Sequence, residues 1–183
     1  MSQFGLNEWI SAVIVVTAIL ALWTDLLRGK IYNWLTLPML VLGVMVQVFV
    51  AGWSGLGASL IGMVLALALF GGIYWVGALG AGDVKLLMAY GAWCGPVFVM
   101  EASLISILFG GCMAAGILIY QGKMKIFLAK IIRFIRSFLI KELELEFPQV
   151  DHRLKMPFGI PLVLSAVVTW FWHPLKALGV LWF

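Results

Sequence analysis

Apolar residues in this chain do not alternate with polar ones; they run on without interruption. No charge falls within residues 9–24, 31–82, 86–100, 102–122 or 156–175. A membrane-crossing helix needs about 20 mostly apolar residues, and these gaps are of that order or longer. The 31–82 gap is long enough for two crossings, with Gly52–Gly57 ("GWSGLG") as the turn between them. The pattern predicts six helices, at about 7–24, 34–51, 58–79, 84–99, 102–120 and 158–175. A transmembrane β-barrel would instead show alternating polarity along each strand.

Residues 123–147 break the pattern. Six basic residues lie within 123–141, and Lys130, Arg133, Ser137 and Lys141 recur at spacings of three and four. That spacing puts them on one helical face. Ile131, Phe134, Ile135, Phe138 and Leu139 dominate other faces. The segment reads as an amphipathic helix lying on an anionic membrane surface. Glu142, Glu144 and Glu146 then alternate with Leu143, Leu145 and Phe147. The plain reading of the whole segment is a surface anchor. The functional alternative is that the three glutamates bind a basic peptide. The expected fold class is all-α: a polytopic membrane protein, one domain over 1–183, with six transmembrane helices plus this cytoplasmic amphipathic helix.

Composition agrees with the pattern. The 183-residue chain is 64% hydrophobic and 11% charged, where a soluble domain is about a quarter charged. The first apolar run has no basic residues before it, only Glu8, so it is expected to stay as a span rather than act as a signal peptide. No long-period repeat or low-complexity linker is visible.

Charge also orients the chain. With six spans, Arg28, Lys30, Lys85 and the basic residues from Lys123 to Lys155 all fall in odd-numbered loops. Basic residues mark the cytoplasmic side. The odd loops are therefore expected inside and both termini outside, with Glu101 in an even loop. Trp9, Trp23, Trp34 and Trp53 sit near span ends, as an aromatic belt does. Cys94 and Cys112 form no CxxC pair. In apolar helices they read as small hydrophobes. His152 and His173 fall on opposite sides, so no metal site is expected.

Two carboxylates stand out: Asp25 after the first expected helix and Asp83 before the fourth. Two crossings lie between them, which returns the chain to the same leaflet. Ionisable groups at membrane depth are costly and mark function. Two carboxyls close together cannot both ionise easily, and they titrate as a unit. Such a pair suits aspartic proteolysis. Gly80 and Gly82 would let the backbone bend and a substrate strand approach. The structural alternative is that Asp83 caps a helix N-terminus, with the glycines as its turn, and that Asp25 is an interfacial residue near Arg28. Lys85 reads as snorkelling to head groups, or else as tuning the pair. Asn33 reads as a helix N-cap. Two competing functions remain: a small proton- or ion-coupled transport component, and a non-catalytic subunit of a secretion platform.

The segment Gly80–Leu87, "GAGDVKLL", resembles the GxGD motif of the prepilin peptidases. The stretch Asp25–Asn33, "DLLRGKIYN", resembles that family's other signature, with Tyr32 where the family usually has proline. Met156–Pro161, "MPFGIP", resembles the Pro-aromatic-Gly stretch that opens the family's last helix. The resemblance implies that Asp25 and Asp83 are the catalytic pair of a membrane aspartic endopeptidase, and that Asn33 helps shape the site. It further implies prepilin substrates, a bacterial inner-membrane location and no cofactor. Without two CxxC pairs, the chain resembles the peptidase-only branch associated with Flp (tight-adherence) pili, without N-methylation. The expected partners are prepilins and membrane lipids, not nucleic acid.

Overall fold

The computed structural model describes residues 3–77, 79–122, 124–126, 128–129, 132 and 158–172. Its main elements are α1 (Gln3–Arg28), α2 (Asn33–Trp75), α3 (Ala81–Tyr120) and α4 (Gly159–Trp172). No strand occurs among the described residues. Trp9–Arg28 of α1, and all of α2 and α3, are long and apolar enough to cross a membrane.

Helices α2 and α3 each fold back on themselves. Gly52 (φ 60°, ψ −136°) and Gly95 (φ 80°, ψ −174°) leave helical geometry, in a region of positive φ that glycine enters without steric cost. In a straight helix, residues eight apart are separated by about 12 Å. Across Gly52, however, a Cβ on Gly55 would lie 2.8 Å from the Gln47 carbonyl carbon. Across Gly95, a Cβ on Gly91 would lie 2.9 Å from Val99 Cγ2. The rings of Tyr90 and Phe98 meet edge-on at 6.3 Å. The chain therefore reverses at both glycines, giving limbs 33–51 and 53–75 in α2, and 81–94 and 96–120 in α3.

These limbs correspond to the helices expected at 34–51, 58–79, 84–99 and 102–120, with corrected boundaries. The turn in α2 is Gly52 alone, and 53–57 is already helical. The turn in α3 is Gly95–Pro96, inside the expected 84–99 helix. Proline lacks an N–H and disfavours helical geometry in the residue before it, but hydropathy does not dip there. Glu101 is accordingly not in a loop: it is buried within the second limb of α3. Of the expected 123–147 helix, residues 124–126, 128–129 and 132 are helical; the rest, with Glu142, Glu144 and Glu146, lies outside the described residues.

The reversal at Gly95 frees carbonyls, and α2 accepts the task of pairing them. Pro96 cannot donate to the Ala92 carbonyl, so Ser59 Oγ does, at 2.7 Å. Gln47 Nε2 donates to the Trp93 carbonyl, and Trp93 Nε1 donates to the Met39 carbonyl at 2.8 Å. Asn33 meets Lys85 and Gln47 meets Trp93, so the first limb of α2 runs beside the first limb of α3 in the same direction. The second limb of α2 then returns along it.

That first limb of α3 is the centre of the molecule. Leu86, Leu87, Ala89, Tyr90 and Ala92 are all fully buried, as befits a helix apolar on every side. Helix α1 buries one stripe, Ile14, Thr17, Ala18, Ala21 and Asp25, at helical spacings of three and four. Trp9, Trp23, Trp34 and Trp53 are exposed, as expected for interfacial aromatics. Helix α4 packs on both α1 and α3.

Contact between α2 and α3 is backbone to backbone at Gly62, where a Cβ would lie 2.5 Å from the Gly91 carbonyl oxygen. Small residues are what allow such close crossings. Gly62→Ala is expected to destabilise the protein by about 2 kcal/mol, in the range for overpacking. Gly72→Ala, with open space at its Cβ, is expected to be neutral. Thermal unfolding of both variants in detergent checks this.

Candidate active site

The buried stripe of α1 ends at Asp25. Its neighbours Leu26 and Leu27 point outward, but the 3.6-residue period turns Asp25 to the inside, where it is 7% exposed. The helix then closes, with the Gly29 N–H donating to the Asp25 carbonyl at 2.7 Å. Asp25 therefore belongs to the last turn of α1 rather than following it.

Asp83 is the third residue of α3 and is also 7% exposed. Its carboxylate Oδ2 accepts the Gly80 N–H at 3.1 Å, and its own N–H donates to the Gly80 carbonyl at 3.1 Å. This is the carboxylate half of a capping box, with Gly80, which has no side chain to complete it, at the N-cap position. The expected N-cap role for Asp83 thus shifts by three residues. The carboxylate still sits on the positive end of the helix.

Gly82 places this turn. A Cβ there would lie 2.8 Å from Ile31 Cβ and 3.0 Å from the Ile31 carbonyl oxygen. The start of α3 thus presses directly on the loop that follows α1. Beside it, Lys85 Nζ donates to Asn33 Oδ1 at 2.9 Å. Asn33 is not the N-cap of α2: Tyr32 holds that position, without a side-chain cap. Both Asn33 and Lys85 are spent on joining the α2 and α3 starts.

These contacts bring Asp25 and Asp83 within electrostatic reach of each other. Two buried carboxyls within reach of one another are what acid–base chemistry by a carboxyl pair requires. The other wall is the start of α4. Gly159 lies against the Asp25 carboxyl, and a Cβ on it would fall on Oδ2. The Gly159 N–H is beside that carboxyl, yet Oδ2 is buried and closes no hydrogen bond among the described residues. The segment "MPFGIP" is distinctive in the sequence, but nothing local links Gly159 to Asp25. Only the packed helices do.

On the exposed side of the same turn, Arg28 Nη1 donates to the Tyr32 hydroxyl at 3.0 Å, and the guanidinium lies 5.8 Å above the Tyr32 ring. Trp23, Thr24, Leu27 and Trp34 complete a half-open cavity of about 330 Å³ around them. Neither aspartate lines it. Tyr32, standing where a proline would be expected, thus holds Arg28 instead of stiffening the loop.

The type IV leader peptidase family matches the chain over residues 12–115. A prepilin leader peptidase/N-methyltransferase from Aeromonas salmonicida (strain A449) is 31% identical over 113 residues, covering 55% of this chain and 38% of that protein. One from Aeromonas hydrophila is 30% identical over 120 residues, covering 61% and 41%. The chain thus spans about two fifths of the length of these relatives. No solved structure matches it. The matched stretch holds both aspartates, Gly80, Gly82, Asn33 and Lys85, and it takes in more than half of the sequence: the chain belongs to the type IV leader peptidase family.

Proposed function

We propose that this protein is a membrane aspartic endopeptidase that removes the short leader of prepilins at the cytoplasmic membrane boundary. The observation that supports the reading is the burial of Asp25 and Asp83, far apart in sequence, within electrostatic reach of each other at the ends of their helices. The ionised carboxylate takes a proton from a water molecule, whose oxygen attacks the scissile carbonyl carbon. The protonated partner hydrogen-bonds the carbonyl oxygen. As the C–N bond breaks, a proton passes to the leaving amine. Water is the nucleophile, so no covalent intermediate forms and no cofactor takes part.

The substrate is a small membrane-anchored pilin whose apolar helix approaches laterally through lipid. In this reading the protein lies in the bacterial inner membrane with six spans, its basic loops and the carboxylate pair on the inside and both termini outside. A reporter enzyme fused at the C-terminus is expected to be active outside the cytoplasm; a cytoplasmic signal would overturn the orientation.

The curated relatives are peptidase and N-methyltransferase in one chain. Here the two cysteines make no CxxC pair, and we assign cleavage without methylation, as in the Flp-type systems. Purified protein, incubated with a prepilin and S-adenosylmethionine, is expected to yield a shortened pilin with an unmodified N-terminus by mass spectrometry. Asp25→Asn and Asp83→Asn are each expected to lower cleavage by at least about 1,000-fold, as removal of a unit in a concerted catalytic set does. Wild-type cleavage by either variant would remove the dyad, and a methylated product would remove the peptidase-only assignment.

The acidic stretch Glu142, Glu144 and Glu146 is assigned to the basic leader of the substrate. Reversing all three charges is expected to raise KM for a basic-leader prepilin by roughly tenfold at low salt, with less effect at high salt. An unchanged KM would leave the segment as a surface anchor only.

A further inference from the structure

Asp83 has its own hydrogen bond to hold it, from the Gly80 N–H. Asp25 Oδ2 has none among the described residues, although it too is buried. What lies against it is the first residue of α4, outside the stretch that matches the family. We propose that Gly159 is a positioning residue for Asp25: the start of α4 is the wall on which the Asp25 carboxyl rests, and the missing Cβ is what leaves room for that carboxyl beside Asp83. The proposal rests on the dyad reading above.

The space is fully used. A Cβ on Gly159 would fall on Asp25 Oδ2, 2.9 Å from Cγ and 3.2 Å from Cβ. Something must move, and α4 has nowhere to go. Phe158 packs edge-on against Phe70 at 6.0 Å. On its other side it covers Gly110, where even a Cβ would lie 2.5 Å from the ring. Pro161, Leu162, Val163 and Ala166 are buried behind it. The group free to swing is the carboxyl, and any swing changes its placement relative to Asp83. A displacement of about 1 Å in a reacting group costs on the order of 100-fold in rate.

The test is steady-state cleavage of a prepilin by the full chain in phospholipid vesicles. Gly159→Ala is expected to lower kcat by about 100-fold with KM within about twofold, and to alter the pH dependence of kcat. Gly111→Ala, which has open space at its Cβ, is expected to match wild type. A folded Gly159→Ala variant with wild-type kcat and pH profile overturns the proposal. Should Gly159→Ala fail to fold, Asp25→Ala is introduced into it. The clash is with the Asp25 carboxyl, so the double variant is expected to recover folded yield; if it is as unfolded as the single variant, the proposal falls. Asp25→Asn alone separates the two readings: full activity there removes the dyad and this role with it, whereas an inactive Asp25→Asn beside a wild-type Gly159→Ala removes only the role of Gly159.

Discussion

A backbone carbonyl that loses its helical partner inside a lipid-facing protein must find another donor within the protein, because the bilayer offers none. The fold depends on how that demand is met at Gly95–Pro96. The reversal there lets α3 contribute two limbs to the bundle, and it leaves the Ala92 and Trp93 carbonyls exposed to apolar surroundings. Ser59 and Gln47 reach across from the two limbs of α2 and pair them. One polar side chain from each limb thus fixes α2 against the centre of α3. The two hairpins lock at their turns, and the ends that carry Asn33 and Asp83 are set side by side as a consequence.

Polar pairing sets the turns, and small residues set the distances. Between helices in lipid, apolar surface gives little net drive, and association comes from close packing. Three of the close approaches are at Gly62 with Gly91, Gly82 with Ile31, and Gly159 with Asp25. The first is pure architecture. The second and third bring the starts of α3 and α4 onto the end of α1, so the same device that packs the bundle also encloses the two carboxyls. Three helix termini converge there, and each is held by a contact that a single added methyl group would break.

Much of this was legible in the sequence, and the reasons for the rest are specific. Uninterrupted apolar runs marked the helices, and the glycines at 52–57 marked the first reversal. Counting crossings put Asp25 and Asp83 at one end, where the structure has them. The second reversal escaped because Gly95–Pro96 lies within an apolar run, and hydropathy registers composition rather than φ and ψ. Asn33 looked like a cap because its residue type favours that position; its amide instead meets Lys85 from a helix far along the chain. Glu101 looked like a loop residue because a charge is normally a boundary, yet it is buried. Gly159 carried no local sign of its neighbour. Tertiary contact decided each of these, and no window along the chain contains both partners.

The two carboxyls are held in unequal ways, and the difference follows from which end of a helix each one occupies. Asp83 is in the first turn of α3, where backbone N–H groups are unpaired and a negative charge is favoured. The Gly80 N–H pairs its carboxylate locally, within four residues. Asp25 is in the last turn of α1, where carbonyls gather and a negative charge is disfavoured. Its surroundings must come from elsewhere, and they come from the start of α4, another positive helix end. Asp83 is therefore placed by its own segment, but Asp25 only when α1 and α4 dock. The carboxylate pair comes into being with tertiary packing and not before, which ties any chemistry it performs to the completed bundle.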